Sequence, residues 1–136
     1  MPHIETSQFK NRFVSLIMSG QGFPKKHVDR HILFISAALG LEPRRQYTER
    51  ELNDELRRWT ARFGSPVNLD HVTLRRFLVD EGYLSRDTAG KAYELTTEWP
   101  YTFDPSIKTL DLEALIAEAR VARELKKQQY MRKSSG

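Results

Sequence analysis

One pair of segments constrains the fold more than any other. "YTERELNDELRRWTARF" is followed, after a break at "GSPVN", by "DHVTLRRFLVDEGYLSRDTAGKAYELT". Thr48 and Glu51 have capping-box spacing, in which each side chain reaches the other's free backbone N–H. The helix that follows carries Leu52, Leu56, Trp59 and Phe63 on one face. Asp70 is suited to cap the next helix and Gly82 to stop it. Leu74, Phe77 and Leu78 face the core there, with Val72, Arg75, Arg76 and Val79 on the opposite side. Beyond Gly82, "YLSRD" and "KAYELT" are strand-favouring pieces on either side of "TAG", which predicts a β-hairpin.

The flanking sequence adds helices. Phe9, Phe13, Leu16 and Ile17 give residues 6–18 a helical apolar face, with Thr6 or Ser7 as cap. "SGQGFP" breaks the chain. A helix is then expected from Pro24, where the missing N–H does no harm. Val28, Ile32, Ile35 and Leu39 form its buried stripe, Gly40 ends it, and residues 45–47 suit a short strand. The order is helix, small strand, helix, helix, hairpin. It predicts a mostly α fold, with a winged helix-turn-helix core, a small β-hairpin wing and extra N- and C-terminal helices. The divisions fall at 1–22 (N-terminal helical extension), 23–96 (winged-helix-like domain) and 97–136 (linker and long C-terminal helix). The linker is "TEWPYTFDPS". The terminal helix, residues 109 to about 131, gathers Leu112, Leu115, Ile116, Ala119 and Ala122 on one face and leaves Leu125 off it.

Composition narrows the function classes. The 136 residues hold no cysteine, which excludes a disulfide scaffold, a thiolate metal site and a cysteine nucleophile. No run approaches the roughly 18 apolar residues of a membrane span. The start, "MPHIETSQFKNRF", lacks a basic-then-apolar signal, so a cytoplasmic protein without membrane contact is expected. The net charge of +4 invites a nucleic-acid reading. The excess is mild, since residues 24–95 hold 13 Lys and Arg against 11 Asp and Glu, and a DNA site would need local clustering.

"FPKKHVDRHILF", "YTERELNDEL" and "DHVTLRRFLVDEGYLSRD" together resemble the prokaryotic domain-of-unknown-function family 2087, over about residues 23–95. The combination of the second and third segments is what makes the likeness specific. The resemblance implies a winged-helix-like domain in the setting of transcriptional regulators, and it implies no mechanism. Two features depart from the family pattern. No separate regulator domain accompanies the segment. The second wing strand ends "YEL", where an aromatic and a basic residue are expected after the tyrosine, which removes a possible phosphate contact.

The candidate DNA contacts follow from that architecture. A recognition helix needs side chains that reach base edges or phosphates from one exposed face. Arg75 and Arg76 have the donors for it, and Thr73 and His71 lie near the helix start. Arg86 and Lys91 flank the hairpin, and Arg44 and Arg45 precede the second helix. The plainer reading is solvated arginines paired with acids, Arg75 or Arg76 with Asp80 or Glu81, and Arg44 or Arg45 with Glu42 or Glu49. Lys25, Lys26, His27 and Arg30 form a second basic cluster at a helix start, suited to an anion or to nothing beyond a solvated surface.

His27 and His31 are four residues apart, a spacing that can hold a divalent metal. The metalloprotease pattern would need a glutamate directly after the first histidine, where Val28 stands. Asp70 and His71 are conceivable further ligands, but a partly buried or solvated histidine pair without metal is the expectation. No phosphate-binding glycine loop and no nucleophile motif is present, so no catalytic residue and no cofactor is expected. Capping and surface charge account for Glu49, Glu51, Asp54 and Glu55. The expected function is a small DNA-binding or transcription-associated regulator. The alternative is an interaction module that keeps the winged shape without DNA. A weaker third reading is a small-molecule sensor near Trp59 and "EWPYTF". Duplex DNA and a second copy are the expected partners; the C-terminal helix could cross to that copy or lie against its own domain near Phe9, Phe13 and Leu16.

Overall fold

The computed structural model describes residues 2–135, and the side chains of residues 2–133. The fold is mostly helical, with a small antiparallel sheet. In chain order it runs β1 (His3–Ile4), α1 (Thr6–Ser19), α2 (His27–Ala38), β2 (Tyr47–Thr48), α3 (Glu49–Trp59), α4 (His71–Asp80), β3 (Leu84–Arg86), β4 (Ala92–Leu95), β5 (Thr102–Phe103) and α5 (Leu112–Ser135). A wide helical turn at Thr60–Gly64 and a 3₁₀ turn at Ser65–Val67 lie between α3 and α4.

Several local signals that the sequence carries are realised. Thr48 and Glu51 form the capping box at α3, and the Asp70 carboxylate accepts from the Thr73 N–H at α4. β3 and β4 pair antiparallel, Leu84 opposite Leu95, with Gly90 in the left-handed region at the turn. The Asp87 carboxylate accepts from the N–H groups of Lys91 and Ala92 and fixes that turn, and these bonds hold its carboxyl below the usual range. β2 adds to the outer side of β4, giving the order β2-β4-β3.

α2 is the centre of the body. Every residue from His31 to Ala38 is buried, so the stripe Val28, Ile32, Ile35 and Leu39 is only part of its packed surface, and Val28 and Leu39 are the half-buried members. α1 packs on one side of it and α4 on another. A helix covered on several sides needs apolar groups all round, and "HILFISAALG" supplies them. Asp29, the one buried acid among the described residues, accepts two hydrogen bonds from Arg12 of α1, each 2.9 Å.

Several boundaries differ from the sequence expectation. α2 begins at His27, one turn after Pro24. α1 has neither Thr6 nor Ser7 as its cap. Glu5 takes the capping position without a side-chain bond, and the Asp104 carboxylate, from the far end of the chain, accepts from the Thr6 N–H at 3.0 Å. The segment expected as a linker is folded onto the body: β5 pairs in parallel with β1, and Tyr101 and Ile107 are buried. α5 starts at Leu112 and continues to Ser135, beyond the expected end near 131. Its first turns pack on α1, with Ile116 buried. Glu113 pairs with Arg62, and the Arg123 guanidinium donates to the Met18 carbonyl oxygen. From Arg120 to Lys133 α5 is exposed, Val121 and Leu125 included, so Ala122 is not part of the packed face.

Candidate functional site

α4 is where the cationic candidates and the fold meet. Asp70 starts it, Leu74 and Leu78 anchor it with no exposed surface, and Phe77 stacks on Phe23 with ring centres 5.0 Å apart. Val72, Arg76 and Asp80, four residues apart, are left as its exposed ridge. His71 and Thr73 are half-buried.

Arg75 is not on that ridge. Its side chain is 20% exposed and lies against α3, where the guanidinium donates to the Asn53 side-chain oxygen and pairs with Glu49 at 3.2 Å. Val79, also expected on the outer side, packs against the periphery of the core. The exposed strip of α4 is therefore narrower than helical periodicity alone suggests, because α3 crosses over one flank.

The remaining cations divide the same way. Arg45 pairs with Glu42 at 3.5 Å and Glu51 at 3.2 Å, and lies over the Tyr47 ring. Glu51, not Glu49, is thus its main acid. Arg44 is exposed in the left-handed region, with φ 63°. Arg86 is exposed on β3, and Lys91 is exposed at the turn, where its charge also acts on the Asp87 carboxylate. Among the described residues, no ion pair engages Arg76, Arg86 or Lys91. Glu49, which holds Arg75, directly follows Thr48, and Thr48 pairs with Ala92, the neighbour of Lys91. The middle of α4 and the hairpin turn are tied through that path. Arg44 and Arg45 precede β2 at the other end of the sheet, where β4 finishes.

The second basic cluster disperses. Arg30 donates to the Pro24 carbonyl oxygen and lies over Phe23, while Lys25 and Lys26 are exposed. His27 and His31 remain together, with ring centres 4.4 Å apart. His31 is buried; loss of water around its charged form, and the neighbouring His27, push it down to about 4. The residue beside this pair is Glu81, at the end of α4, with its carboxylate 3.5 Å from His31 Nε2. Asp70 and His71, the conceivable ligands on sequence grounds, stand at the opposite end of that helix. Two tyrosines complete the surroundings. The Tyr83 hydroxyl lies 2.7 Å from His31 Nδ1 and the Tyr101 hydroxyl 2.6 Å from His27 Nδ1. Burial pushes both tyrosines up. No local motif marks Glu81, Tyr83 or Tyr101. The i, i+4 histidines are the only signal that sequence offers for this cluster.

A family described as "uncharacterized protein conserved in bacteria (DUF2087)" matches residues 21–95, more than half of the chain. The chain belongs to that family. No curated protein and no solved structure matches it. The DUF2087 segment runs from the break before α2 to the end of β4. It therefore contains the helix pair, the three-stranded sheet and every cationic candidate, and leaves out β1, α1, β5 and α5.

Two of the surface depressions adjoin Trp59 and the "EWPYTF" segment. Trp59 lines one, of about 510 Å³, between α2, α3 and the start of α5, and donates its indole N–H to Ser36 Oγ. The other, of about 750 Å³, is lined by residues 94–99 and 101–103 together with Leu39, Leu41 and Arg44. Trp59 and the "EWPYTF" segment thus do not share one pocket. Among the described residues no helix is long and apolar enough to cross a membrane.

Proposed function

We propose that this DUF2087 protein is a small DNA-binding or transcription-associated regulatory protein of winged-helix type. The element order supports it: a helix, a short strand, a helix pair, then a hairpin that takes the short strand as its third member. The observation that carries the reading is the bare Val72–Arg76 ridge of α4, tied through Glu49 to a hairpin whose Arg86 and Lys91 are exposed. Arg76 is the groove-facing residue in this reading, with His71 and Thr73 beside it; Arg86, Lys91 and Arg44 contact phosphates. Arg75 is a brace that fixes the angle of α4 on α3. Such a role places the chain in the cytoplasm, with the DNA.

A second copy fits the same reading, because two-fold sites reward two-fold proteins. The proximal face of α5 is occupied by α1, so the contact would use residues 120–133, where Val121 and Leu125 are exposed.

The test is binding to a generic duplex over a range of salt. Each phosphate contact contributes about −0.9 to the slope of log affinity against log salt. Arg76→Glu with Arg86→Glu should remove binding and leave the fold intact, since both side chains are exposed. Unchanged affinity in that double variant would overturn the assignment. One observation favours the alternative of a protein-interaction module without DNA contact: Arg75 and Arg45 are both held by carboxylates. Absence of any salt-dependent duplex affinity in the wild-type chain would select it.

A further inference from the structure

The His27–His31–Glu81 cluster has features that a bland histidine pair does not need. One nitrogen of each imidazole and one carboxylate oxygen of Glu81 all lie within 4.8 Å of one another. Zinc holds nitrogen and oxygen at about 2.0–2.2 Å, which places ligand atoms of a tetrahedral site about 3.3–3.5 Å apart. His31 Nε2 and Glu81 Oε2 are already 3.5 Å apart. His27 is exposed and Glu81 half-buried, so the wider separations close by side-chain rotation, with no movement of the core.

The support behind the two imidazoles is the second observation. Ligating histidines as a rule hydrogen-bond through their other ring nitrogen, which fixes the tautomer and the ring plane. Here both Nδ1 atoms meet a tyrosine hydroxyl, at 2.7 Å for His31 and 2.6 Å for His27. A hydroxyl serves both states of such a site. It accepts from Nδ1–H when Nε2 takes a cation, and it turns to donate to Nδ1 when Nε2 carries the proton. Gly82, with φ 89°, makes the turn that sets Glu81 and Tyr83 on either side of it, so ligand and support come from one bend.

We propose that His27, His31 and Glu81 form a binding site for a divalent transition-metal cation of the zinc class, with Tyr101 and Tyr83 orienting the two imidazoles. Three protein ligands leave a fourth position for water, the pattern of an open site and not of a closed structural one. Burial keeps His31 neutral at pH 7, the form that ligates. Two features limit the affinity. His27 is the first residue of α2, where the helix dipole opposes a cation, and Lys25 and Lys26 are near in sequence. Their exposed charges are screened over about 8 Å at physiological salt. Glu81 supplies the one anionic ligand and is therefore the residue on which binding depends most. The bound cation would fasten the end of α4 to the start of α2. The site stands on this geometry and not on the DNA reading.

The full chain, stripped with a chelator and dialysed, is titrated calorimetrically with zinc chloride. Cobalt(II) serves as a second probe for its visible absorption in a tetrahedral site. The expected result is one ion per chain, a tetrahedral cobalt spectrum and a higher midpoint of thermal unfolding with zinc. His27→Gln and Glu81→Gln should each weaken zinc binding at least about tenfold, and Tyr83→Phe by about 10–100-fold with every ligand still in place. His71→Gln, at the far end of α4, should leave it unchanged. His27 and Glu81 lie outside the buried core, so both variants fold, and circular dichroism without metal checks this. No heat and no thermal shift at roughly tenfold excess of zinc would overturn the proposal. So would equal affinity in wild type, His27→Gln and Glu81→Gln.

Discussion

Arg75→Ala separates a brace from a DNA contact. In the wild-type chain the Arg75 guanidinium donates to the Asn53 side-chain oxygen and pairs with Glu49, and it is only 20% exposed. A hydrogen bond with one charged partner contributes about 1.5–3 kcal/mol when it is shielded from water. The Glu49 pair adds little, about 0.2–1 kcal/mol, because Glu49 is more than half exposed. Asn53 and Glu49 can both regain water when the arginine is removed, which lowers the sum. The expected loss is about 1–3 kcal/mol in urea unfolding, seen as a lower midpoint with an unchanged slope. Arg76→Ala, on the exposed ridge, should stay within about 0.5 kcal/mol of wild type. A double-mutant cycle of Arg75→Ala with Asn53→Ala should show a coupling of at least about 0.5 kcal/mol. The roles reverse on duplex DNA: Arg76→Ala should weaken binding by about 1–3 kcal/mol and Arg75→Ala should not. Equal stability losses at the two positions, or a coupling near zero, would refute the brace.

Leu78→Ala, at a fully buried position of α4, should cost about 2–5 kcal/mol by chemical unfolding. His31 gives an acid-sensitive component that unfolding over a pH series in chelator would show. Its folded value of about 4 lies below the ordinary 6.5, so the folded state binds fewer protons than the unfolded chain, and stability is complete above pH 6.5 and falls as the pH drops towards 4. At 1.36 kcal/mol per unit the loss is at most about 3 kcal/mol, with Glu81, His27, Tyr83 and Tyr101 as the facing groups, and His31→Gln should flatten it. In sedimentation, a dimer of the full chain should become a monomer when the chain ends at Ser106; a monomeric full chain at high concentration would exclude the second copy.

What was legible in the sequence was what is local. The capping box at Thr48 and Glu51 and the cap at Asp70 each involve residues three apart, so no tertiary knowledge is needed to find them. The hairpin was legible for the same reason, since Gly90 and the flanking β-formers fix it within a dozen residues. The capping of α1 was not. Its Thr6 N–H donates to the Asp104 carboxylate, 98 residues away, and that bond exists only because β5 returns to pair with β1. The same return converts an apparent linker into a strap, and it brings Tyr101 against His27.

Arg75 and Glu81 show why the candidate site was only half visible. Helical periodicity divides α4 into one inner and one outer face, and it puts Arg75 outside with Arg76. The actual helix is covered along two flanks, by the core through Leu74 and Leu78 and by α3 through Asn53 and Glu49. A long polar side chain on the second flank is recruited into the helix–helix contact, and the pattern of apolar residues carries no trace of that. Glu81 is the converse case. On sequence grounds it is an acid near a helix end, suited to pair with a neighbouring arginine. In the fold the turn at Gly82 and the crossing of α4 over α2 place it beside His31, fifty residues earlier in the chain. Spacing could nominate the two histidines, but a third ligand drawn from another element is set by the crossing of helices. Asp70 and His71, the further acid and imidazole that the sequence offers, lie at the other end of α4. Arg75 and Glu81 have their partners across an interface between elements, and periodicity carries no record of that. Among the described residues Arg76, Arg86 and Lys91 stand apart from them, engaged in no ion pair.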